Sequence, residues 1–354
     1  MMQTQRSLWL RPPTLHPKST DHFAMPAALS VLDLSPITEG SDAAQSFRNS
    51  LDLARHAENW GYRRFWLAEH HGMPGIASAA TAVLMAHVAG GTRHIRVGAG
   101  GIMLPNHSPL VIAEQFGTLE SLFPGRIDLG LGRAPGSDQR TARALRRNLQ
   151  TSSDEFPQDV VELIDFMSDQ PRQAVRAVPG TGLNVPIWIL GSSLFGAQLA
   201  AALGLPYAFA SHFAPAQMMD AIKLYRNTFK PSAQWARPYV MLGFNVFAAD
   251  TDDEAWFRAS AMQQAFVNLR SGQPRQLPAP VSGYYDRLQG PIRAMLDEVL
   301  GCSAIGTPET VQTRIQAFVE RTGADELMIA CQMFDHAHRL RSYEITAQAT
   351  GSLR

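Results

Sequence analysis

The feature that most constrains the fold of this chain is a repeated alternation of short apolar segments and helical patterns. Each apolar segment has the composition of a buried strand, and a segment with helical periodicity or helix-capping residues follows it. Eight such strands are predicted, near residues 30, 66, 96, 128, 188, 208, 242 and 328. Eight strand–helix units in 354 residues predict an α/β fold, a single (β/α)8 TIM barrel. A doubly wound open sheet is the alternative, because a single sequence can mislead a strand count.

The predicted barrel domain covers residues 27–354, and a shorter segment precedes it. Residues 1–26 are basic, contain proline and lack periodicity, so we expect a disordered extension. The apolar run Leu8-Trp9-Leu10 is too short for the core of a signal peptide. Residues 271–300 are rich in proline and form a predicted insertion before the last strand–helix unit. Such an insertion would hang over one mouth of the barrel as a lid.

Charge and cysteine content argue against several classes of function. The formal net charge is +0, which gives no electrostatic reason to expect nucleic acid or a membrane surface as a partner. No apolar run approaches the roughly 18 residues of a membrane-spanning helix. Cys302 and Cys331 lie far apart without metal-ligand spacing, so neither a disulfide framework nor a zinc site is expected. A reducing cytoplasm is the expected location.

Glycines end two successive predicted strands, at the positions where a TIM barrel carries its reactive groups. Gly100-Gly101 ends the third strand, and Gly132-Arg133 ends the fourth. Small residues remove side-chain bulk, so the backbone bends there or something flat packs against it. The two strand ends therefore predict a shared concave site.

A third strand end, GSSLFG at residues 191–196, leads into a helix. Backbone N–H groups and the hydroxyls of Ser192 and Ser193 face one point there, which favours phosphate binding. A capped helix without a ligand is the commoner explanation for such a segment. Arg133, at a neighbouring strand end, could close a phosphate site with its planar guanidinium, and a surface arginine is the alternative.

Glu69, His70 and His71 follow the second predicted strand. Adjacent side chains on an extended chain point to opposite sides, so the two histidines cannot easily share one ion. No HxH or HExxH spacing completes a metal site, and no metal is predicted. One histidine that faces a cleft as a proton donor is the better functional interpretation, with a structural role for the other. His107 and His212 also follow strands and are interpreted as hydrogen-bonding loop residues.

The segment GLGRAPG, from Gly130 to Gly136, nearly matches the glycine fingerprint of dinucleotide-binding folds. Pro135 occupies the position of the third glycine, and no strong helix begins there. A Rossmann-type nicotinamide site is therefore disfavoured.

Three separated segments resemble the luciferase-like flavin-dependent monooxygenases. They occur in the family's order, and the similarity runs from about Leu29 to the C-terminus. The chain most resembles the FMN-using, bacterial-luciferase-like branch rather than the deazaflavin-dependent dehydrogenases. The three segments are LARHAENWGYRRFWLAEHHG, VGAGGIMLPNHSPLVIAEQFGTLESLFPGRIDLGLGRAPG and PIWILGSSLFGAQLAAALGLPYAFASHFAP.

The resemblance implies a TIM barrel that binds FMN at its carboxyl-end mouth, with His70 as the catalytic residue that handles the reduced flavin and its peroxide. It implies an unusual cis peptide bond at Gly100-Gly101, against the flavin ring. Gly132 stands where luciferase has a cysteine, so light emission is not expected. The implied cofactor-binding residues are Gly100, Gly101, Gly132, Arg133, Gly191, Ser192, Ser193, Leu194, Phe195 and Gly196.

The resemblance further implies that reduced FMN and dioxygen give a flavin hydroperoxide, which transfers one oxygen atom to a small apolar or aldehyde-like substrate. The chain shows no convincing nicotinamide site, so a separate flavin reductase is expected as a transient partner. Family members of this kind are commonly homodimers. Two alternatives stay open, namely deazaflavin-dependent hydride transfer on the same fold and a flavin-binding protein without turnover.

Overall fold

The structure is a computed structural model of the chain. It describes residues 27–133, 141, 144–145 and 155–352. The predicted extension, residues 1–26, lies outside the described residues. Among the helices that the structure describes, none is long and apolar enough to cross a membrane.

Eight parallel strands of the described chain close into a barrel, which confirms the predicted (β/α)8 fold. They are β1 (Ala28–Asp33), β2 (Arg64–Leu67), β3 (Arg96–Met103), β4 (Ile127–Gly132), β5 (Ile187–Gly191), β6 (Tyr207–Phe209), β7 (Val240–Ala248) and β9 (Glu326–Ala330). Strands β1 to β6 pair in sequence, β7 pairs with both β6 and β9, and β9 pairs with β1. The sheet therefore has no free edge between its first and last strands, and the open-sheet alternative is wrong.

A further strand, β8 (Ser303–Gly306), lies outside this ring and was not among the predicted strands. It pairs in parallel with the last four residues of β7, from Asn245 to Ala248. At four residues β8 is too short to show a periodic pattern, and it comes soon after the predicted insertion. Strand β7 is nine residues long and fully buried, so it has room for a second neighbour beyond the barrel.

Helices surround the barrel, and some of them begin at a capping residue or a first-turn proline that the sequence supplies. Asp42 accepts a hydrogen bond from the Gln45 N–H at 2.8 Å, and Pro109 occupies the first turn of its helix. The described helices are α1 (Ala43–Asn59), α2 (Thr81–Gly90), α3 (Pro109–Leu122), α4 (Phe156–Met167), α5 (Leu194–Leu203), α6 (Met218–Thr228), α7 (Asp252–Arg270), α8 (Tyr284–Arg287), α9 (Gly290–Leu300), α10 (Pro308–Thr322) and α11 (His336–Ala349). Helices α8 and α9 lie within the predicted insertion.

A buried network of charges fills the amino-terminal end of the barrel. Arg64, at the start of β2, donates to Asp128 Oδ2 at 2.7 Å and to Glu326 Oε1 at 3.0 Å. Arg64 is 3% exposed and both carboxylates are 0% exposed, so each charge depends on its partner for stabilisation. The network ties β2, β4 and β9 together at the bottom of the barrel and leaves the carboxyl end for a functional site.

Candidate active site

Most of the predicted site residues lie at the carboxyl-terminal mouth of the barrel. The prediction that Gly100-Gly101 ends the third strand is wrong, because β3 continues to Met103. Parallel pairing places Met103 of β3 opposite Gly132 of β4, and Gly132 opposite Leu190 of β5. Gly191 of β5 lies opposite Phe209 of β6. Because the carboxyl ends of neighbouring parallel strands share one edge, the residues that follow β2, β3, β4 and β5 border a single mouth.

The peptide bond between Gly100 and Gly101 is cis, as the resemblance implied. A Cβ at Gly101 would lie 2.6 Å from the carbonyl oxygen of Gly130, and a Cβ at Gly100 would lie 3.0 Å from Leu32 Cδ1. The first distance is shorter than any ordinary contact, and the second is a tight one. Packing within the barrel therefore requires small residues at both positions, whether or not a flat ligand also packs against them.

Gly132 has a different environment. A Cβ there would have the carbonyl oxygen of Ile102 as its nearest neighbour, at 3.8 Å, so the space beside the end of β4 is open. The next residue, Arg133, places its guanidinium carbon 4.1 Å from the centre of the Phe195 ring. This cation–π contact brings a positive charge to the first turn of α5.

The amino-terminal end of α5 is built closely against the end of β5. Ser193 is the N-cap residue with extended backbone angles, and its side chain makes no capping hydrogen bond. The Tyr207 hydroxyl donates to the Ser193 carbonyl oxygen at 3.1 Å. A Cβ at Gly196 would lie 3.5 Å from the Gly191 Cα, so the small residues permit this close approach. The alternative explanation for this segment was a helix capped by a serine side chain, without a ligand. The Ser193 side chain makes no such capping bond, which argues against that alternative.

Glu69 joins two histidines at the rim of the mouth. Its Oε1 accepts hydrogen bonds from His71 Nε2 at 2.7 Å and from His107 Nε2 at 2.8 Å. Its Oε2 accepts one from the Met103 N–H at 3.0 Å. Burial favours a higher pKa for the Glu69 carboxyl, but the bonds from His107, His71 and Met103 outweigh burial and lower the pKa. Glu69 therefore stays a carboxylate at neutral pH.

Sequence reasoning missed this cluster because it compared His71 only with its neighbour His70. The available signal was positional, since Glu69 and His107 both follow strands that pair with each other, β2 and β3. The interpretation of His107 as a hydrogen-bonding loop residue is confirmed.

His70 lies near a second histidine that the sequence analysis set aside. Its backbone N–H donates to the Ser78 carbonyl oxygen at 2.9 Å, which fixes the chain after β2. Burial, with a smaller electrostatic effect of His70, lowers the pKa of His212 to about 4. Although His212 is only half-buried as a residue, its Nδ1 is shielded from solvent and has no hydrogen-bond partner among the described residues. His212 is therefore neutral at pH 7.

Gly243 makes room for the imidazole of His212. A Cβ at Gly243 would lie 2.0 Å from His212 Nδ1, which no real side chain could tolerate. Asn245 donates through Nδ2 to the His212 carbonyl oxygen at 2.8 Å. Strand β7 thus positions the loop after β6 in two ways. Gly243 leaves space for the imidazole of His212, and Asn245 makes a hydrogen bond to its backbone.

The predicted insertion runs across the loops on the β1 and β2 side of the mouth. The Leu277 N–H donates to the Ile37 carbonyl oxygen at 2.8 Å, and the Glu39 N–H donates to the Leu277 carbonyl oxygen at 2.9 Å. The Leu277 side chain is buried. A Cβ at Gly75 would lie 2.4 Å from the Arg275 carbonyl oxygen, so the loop after β2 also passes close to the insertion. A role as a lid stays a prediction.

The residues at the mouth suit a flat cofactor that ends in a phosphate. Gly132 leaves open space at the end of β4, and Arg133 supplies a positive charge next to it. Ser193 and the start of α5 add hydrogen-bond donors and the positive end of the helix dipole. A positive charge, hydrogen-bond donors and open space are the features that such a cofactor requires.

The sequence model of the luciferase-like monooxygenase family matches residues 28–326, which is most of this chain. The chain belongs to the luciferase-like monooxygenase family. A luciferase-like monooxygenase of Escherichia coli (strain K12) is 55% identical over 320 residues, covering 90% of this chain and 95% of that protein.

Solved structures share the fold of this family member. The crystal structure of apo-MsnO8 is 33% identical, with a TM-score of 0.82 over 92% of this chain and 98% of that chain. The oxygenating constituent of 3,6-diketocamphane monooxygenase from Pseudomonas putida, in complex with FMN, is 18% identical with a TM-score of 0.68, over 92% of this chain and 97% of that chain. An F420-dependent secondary alcohol dehydrogenase is 14% identical with a TM-score of 0.63, over 93% of this chain and 100% of that chain. At these last two identities the likeness concerns the fold alone.

Proposed function

We propose that this chain is an FMN-dependent monooxygenase that uses reduced FMN and dioxygen to add one oxygen atom to a small apolar or aldehyde-like substrate. The observation that carries the proposal is the stack of Arg133 on Phe195, beside the open space at Gly132 and the uncapped start of α5. Proteins with this fold include one in complex with FMN and one that depends on F420, so the fold by itself does not choose the cofactor.

We assign a role to each residue of the site from its position. Reduced FMN would supply the two electrons for dioxygen, so that one oxygen atom enters the substrate and the other leaves as water. Arg133 and the N–H groups at the start of α5 bind the phosphate, and Ser193 adds a hydroxyl. Gly132 leaves room for the ring system.

His70 is the proposed catalytic residue, because it lies in the loop after β2 at the same mouth and an imidazole can hold or move a proton. His212 stays neutral beside it, since burial lowers its pKa to about 4.

Two further parts of the proposal concern access to the site. The insertion at residues 271–300, anchored through Leu277, would exclude water from the mouth. A separate reductase would deliver reduced flavin, since the chain carries no recognisable dinucleotide fingerprint.

The first test is a titration of the purified protein with FMN, riboflavin and F420, each in oxidised and reduced form. We expect reduced FMN to bind more tightly than reduced F420 and more tightly than riboflavin, which lacks the phosphate. Tighter binding of reduced F420 would support the deazaflavin alternative and overturn the proposal.

The second test supplies an unrelated flavin reductase, NADH, FMN and 18O-labelled dioxygen, with a panel of aldehydes, ketones and thioethers. Incorporation of one labelled oxygen atom into a substrate, dependent on this protein, is expected. Binding of FMN with no effect of this protein on flavin oxidation or on oxygen consumption would instead support the non-catalytic alternative.

A further inference from the structure

Three side chains at the rim of the mouth present ligand atoms to one point. One carboxylate oxygen of Glu69 and one ring nitrogen each of His71 and His107 all lie within 4.8 Å of one another. The two Nε2 atoms are 2.7 Å and 2.8 Å from the same Glu69 oxygen. Around a zinc ion with bonds of about 2.0 to 2.2 Å, ligand atoms are roughly 3 to 4 Å apart. Side-chain shifts of less than about 1 Å would therefore turn this cluster into a coordination sphere.

The three side chains of the cluster differ in their exposure to solvent. The side chain of Glu69 is 1% exposed, whereas those of His71 and His107 are 16% and 27% exposed. An ion could reach the histidines from the mouth and find the carboxylate beneath them. Such an arrangement combines low solvent access at the anionic ligand with an open path for exchange.

A backbone hydrogen bond also fixes the orientation of the Glu69 carboxylate. The Met103 N–H donates to Glu69 Oε2 at 3.0 Å, and Met103 is the last residue of β3. A hydrogen bond to the second oxygen fixes the direction of the first, which is how outer partners orient metal ligands in proteins. Glu69 itself lies two residues after the end of β2, so both strands help to define its position.

We propose that Glu69, His71 and His107 form a site for one divalent ion of the late first transition row, represented by Zn²⁺. Two imidazole nitrogens and one carboxylate oxygen are the ligands that such ions take in catalytic sites, where further positions stay open to water or substrate. The site differs from the proposed flavin-phosphate site in all of its residues. It does not depend on the proposed oxygenation, and it replaces the expectation from sequence that no metal is bound.

The competing explanation is a hydrogen-bonded cluster without an ion. In that case His71 and His107 would each donate a proton to Glu69 and simply join the loop after β2 to the loop after β3. With an ion, each ring would carry its proton on Nδ1 and give its Nε2 lone pair to the metal. The two explanations make opposite predictions for metal binding.

The deciding experiment strips the full-length protein with a chelator and titrates it with Zn²⁺ by calorimetry and with Co²⁺ by visible absorption. We expect one equivalent to bind, and His71→Ala and His107→Ala each to weaken binding by at least about 10-fold. His338→Ala is the matched control, because His338 pairs with Asp335 at 3.5 Å on the surface and should leave affinity unchanged. Absence of saturable binding, or binding that persists in both cluster variants, overturns the proposal.

A second measurement does not depend on the folding of any variant. X-ray absorption of the zinc-loaded wild-type protein should show nitrogen and oxygen ligands at about 2.0 to 2.2 Å, with the scattering pattern of two imidazoles. Sulfur ligands, or water alone, would assign the ion to another place and refute the site. Flavin binding is measured in separate titrations, so failure of the oxygenase proposal and failure of the metal proposal are distinguishable.

Discussion

The guanidinium of Arg133 lies over the face of Phe195, with 4.1 Å between its central carbon and the ring centre. Arg133 follows β4 and Phe195 lies in the first turn of α5, so this contact joins two neighbouring β/α units at the mouth. A stacked guanidinium keeps its N–H groups in a fixed plane, which suits a phosphate better than a flexible lysine would. The contact fixes a positive charge at the end of the candidate site where we propose that a phosphate binds.

Replacing Arg133 should weaken FMN more than riboflavin. A hydrogen bond to a charged group is worth about 1.5 to 3 kcal/mol, so Arg133→Ala should raise the dissociation constant of FMN by roughly 10-fold to 100-fold. Flavin fluorescence gives both constants. Arg321→Ala is the control, because Arg321 lies 5.4 Å from the Phe318 ring on α10, away from the strand ends. An equal loss for FMN and riboflavin would show that Arg133 does not contact the phosphate.

Gly132 and Gly101 should respond differently to the same change. Gly132→Ala should alter the free energy of unfolding by less than about 1 kcal/mol, because its Cβ enters open space. Gly101→Ala should cost about 1 to 3 kcal/mol, because its Cβ meets the Gly130 carbonyl oxygen. Urea denaturation measures both. If FMN lies beside β4, the well-folded Gly132→Ala protein should still bind it more weakly, and unchanged affinity would place the ring elsewhere.

His70→Ala should separate cofactor binding from turnover. We expect FMN to bind within about 3-fold of the wild-type affinity, while product formation falls by about 100-fold, the usual contribution of a positioned acid or base. The measurement is labelled product per NADH consumed, with released hydrogen peroxide followed alongside. His338→Ala serves as the control. Normal product yield from His70→Ala would remove His70 from the catalytic role.

His212 should make stability depend on pH in a defined window. Its pKa is about 4 in the folded protein against 6.5 when unperturbed, so the unfolded chain takes up a proton first as the pH falls. Stability from His212 is fully present above pH 6.5 and is lost progressively down to about pH 4. The loss is at most about 3.5 kcal/mol, since a tenfold change in proton affinity corresponds to about 1.4 kcal/mol.

The variant His212→Gln should reduce that dependence. Urea unfolding at pH 7 and pH 5 gives the difference in unfolding free energy for each protein. We expect a smaller difference for His212→Gln than for the wild type, and an unchanged difference for His338→Gln. If all three proteins lose the same stability between these two pH values, another group must be responsible.

Much of the barrel could be predicted because its strands are locally encoded. Each barrel strand is a short apolar run next to turn residues or helix caps, and the eight predicted positions all lie in barrel strands. Strand β8 escaped prediction because four residues carry no periodicity and its pairing partner, β7, is more than fifty residues away. The disordered extension, the cytoplasmic location, the flavin reductase and the homodimer stay predictions.

The candidate site was predicted in part. Arg133 contacts Phe195 at the start of α5, as expected for two neighbouring parallel strands whose carboxyl ends share one edge. The roles of Arg133, Ser193 and His70 stay predictions. The contacts of His107 and His212 were not predicted, because side-chain direction within a loop depends on the backbone of other units. No spacing in the sequence links His107 to Glu69 or His212 to Gly243.

The sequence by itself determined the family, the order of the strands and the end of the barrel that carries function, because these follow from local patterns repeated along the chain. Only the tertiary structure decided which glycines leave open space. A Cβ at Gly101 meets the neighbouring strand, whereas a Cβ at Gly132 faces the mouth. The same holds for the cluster around Glu69, since His107 of the loop after β3 reaches Glu69 and His71 of the loop after β2 only when β2 and β3 pair.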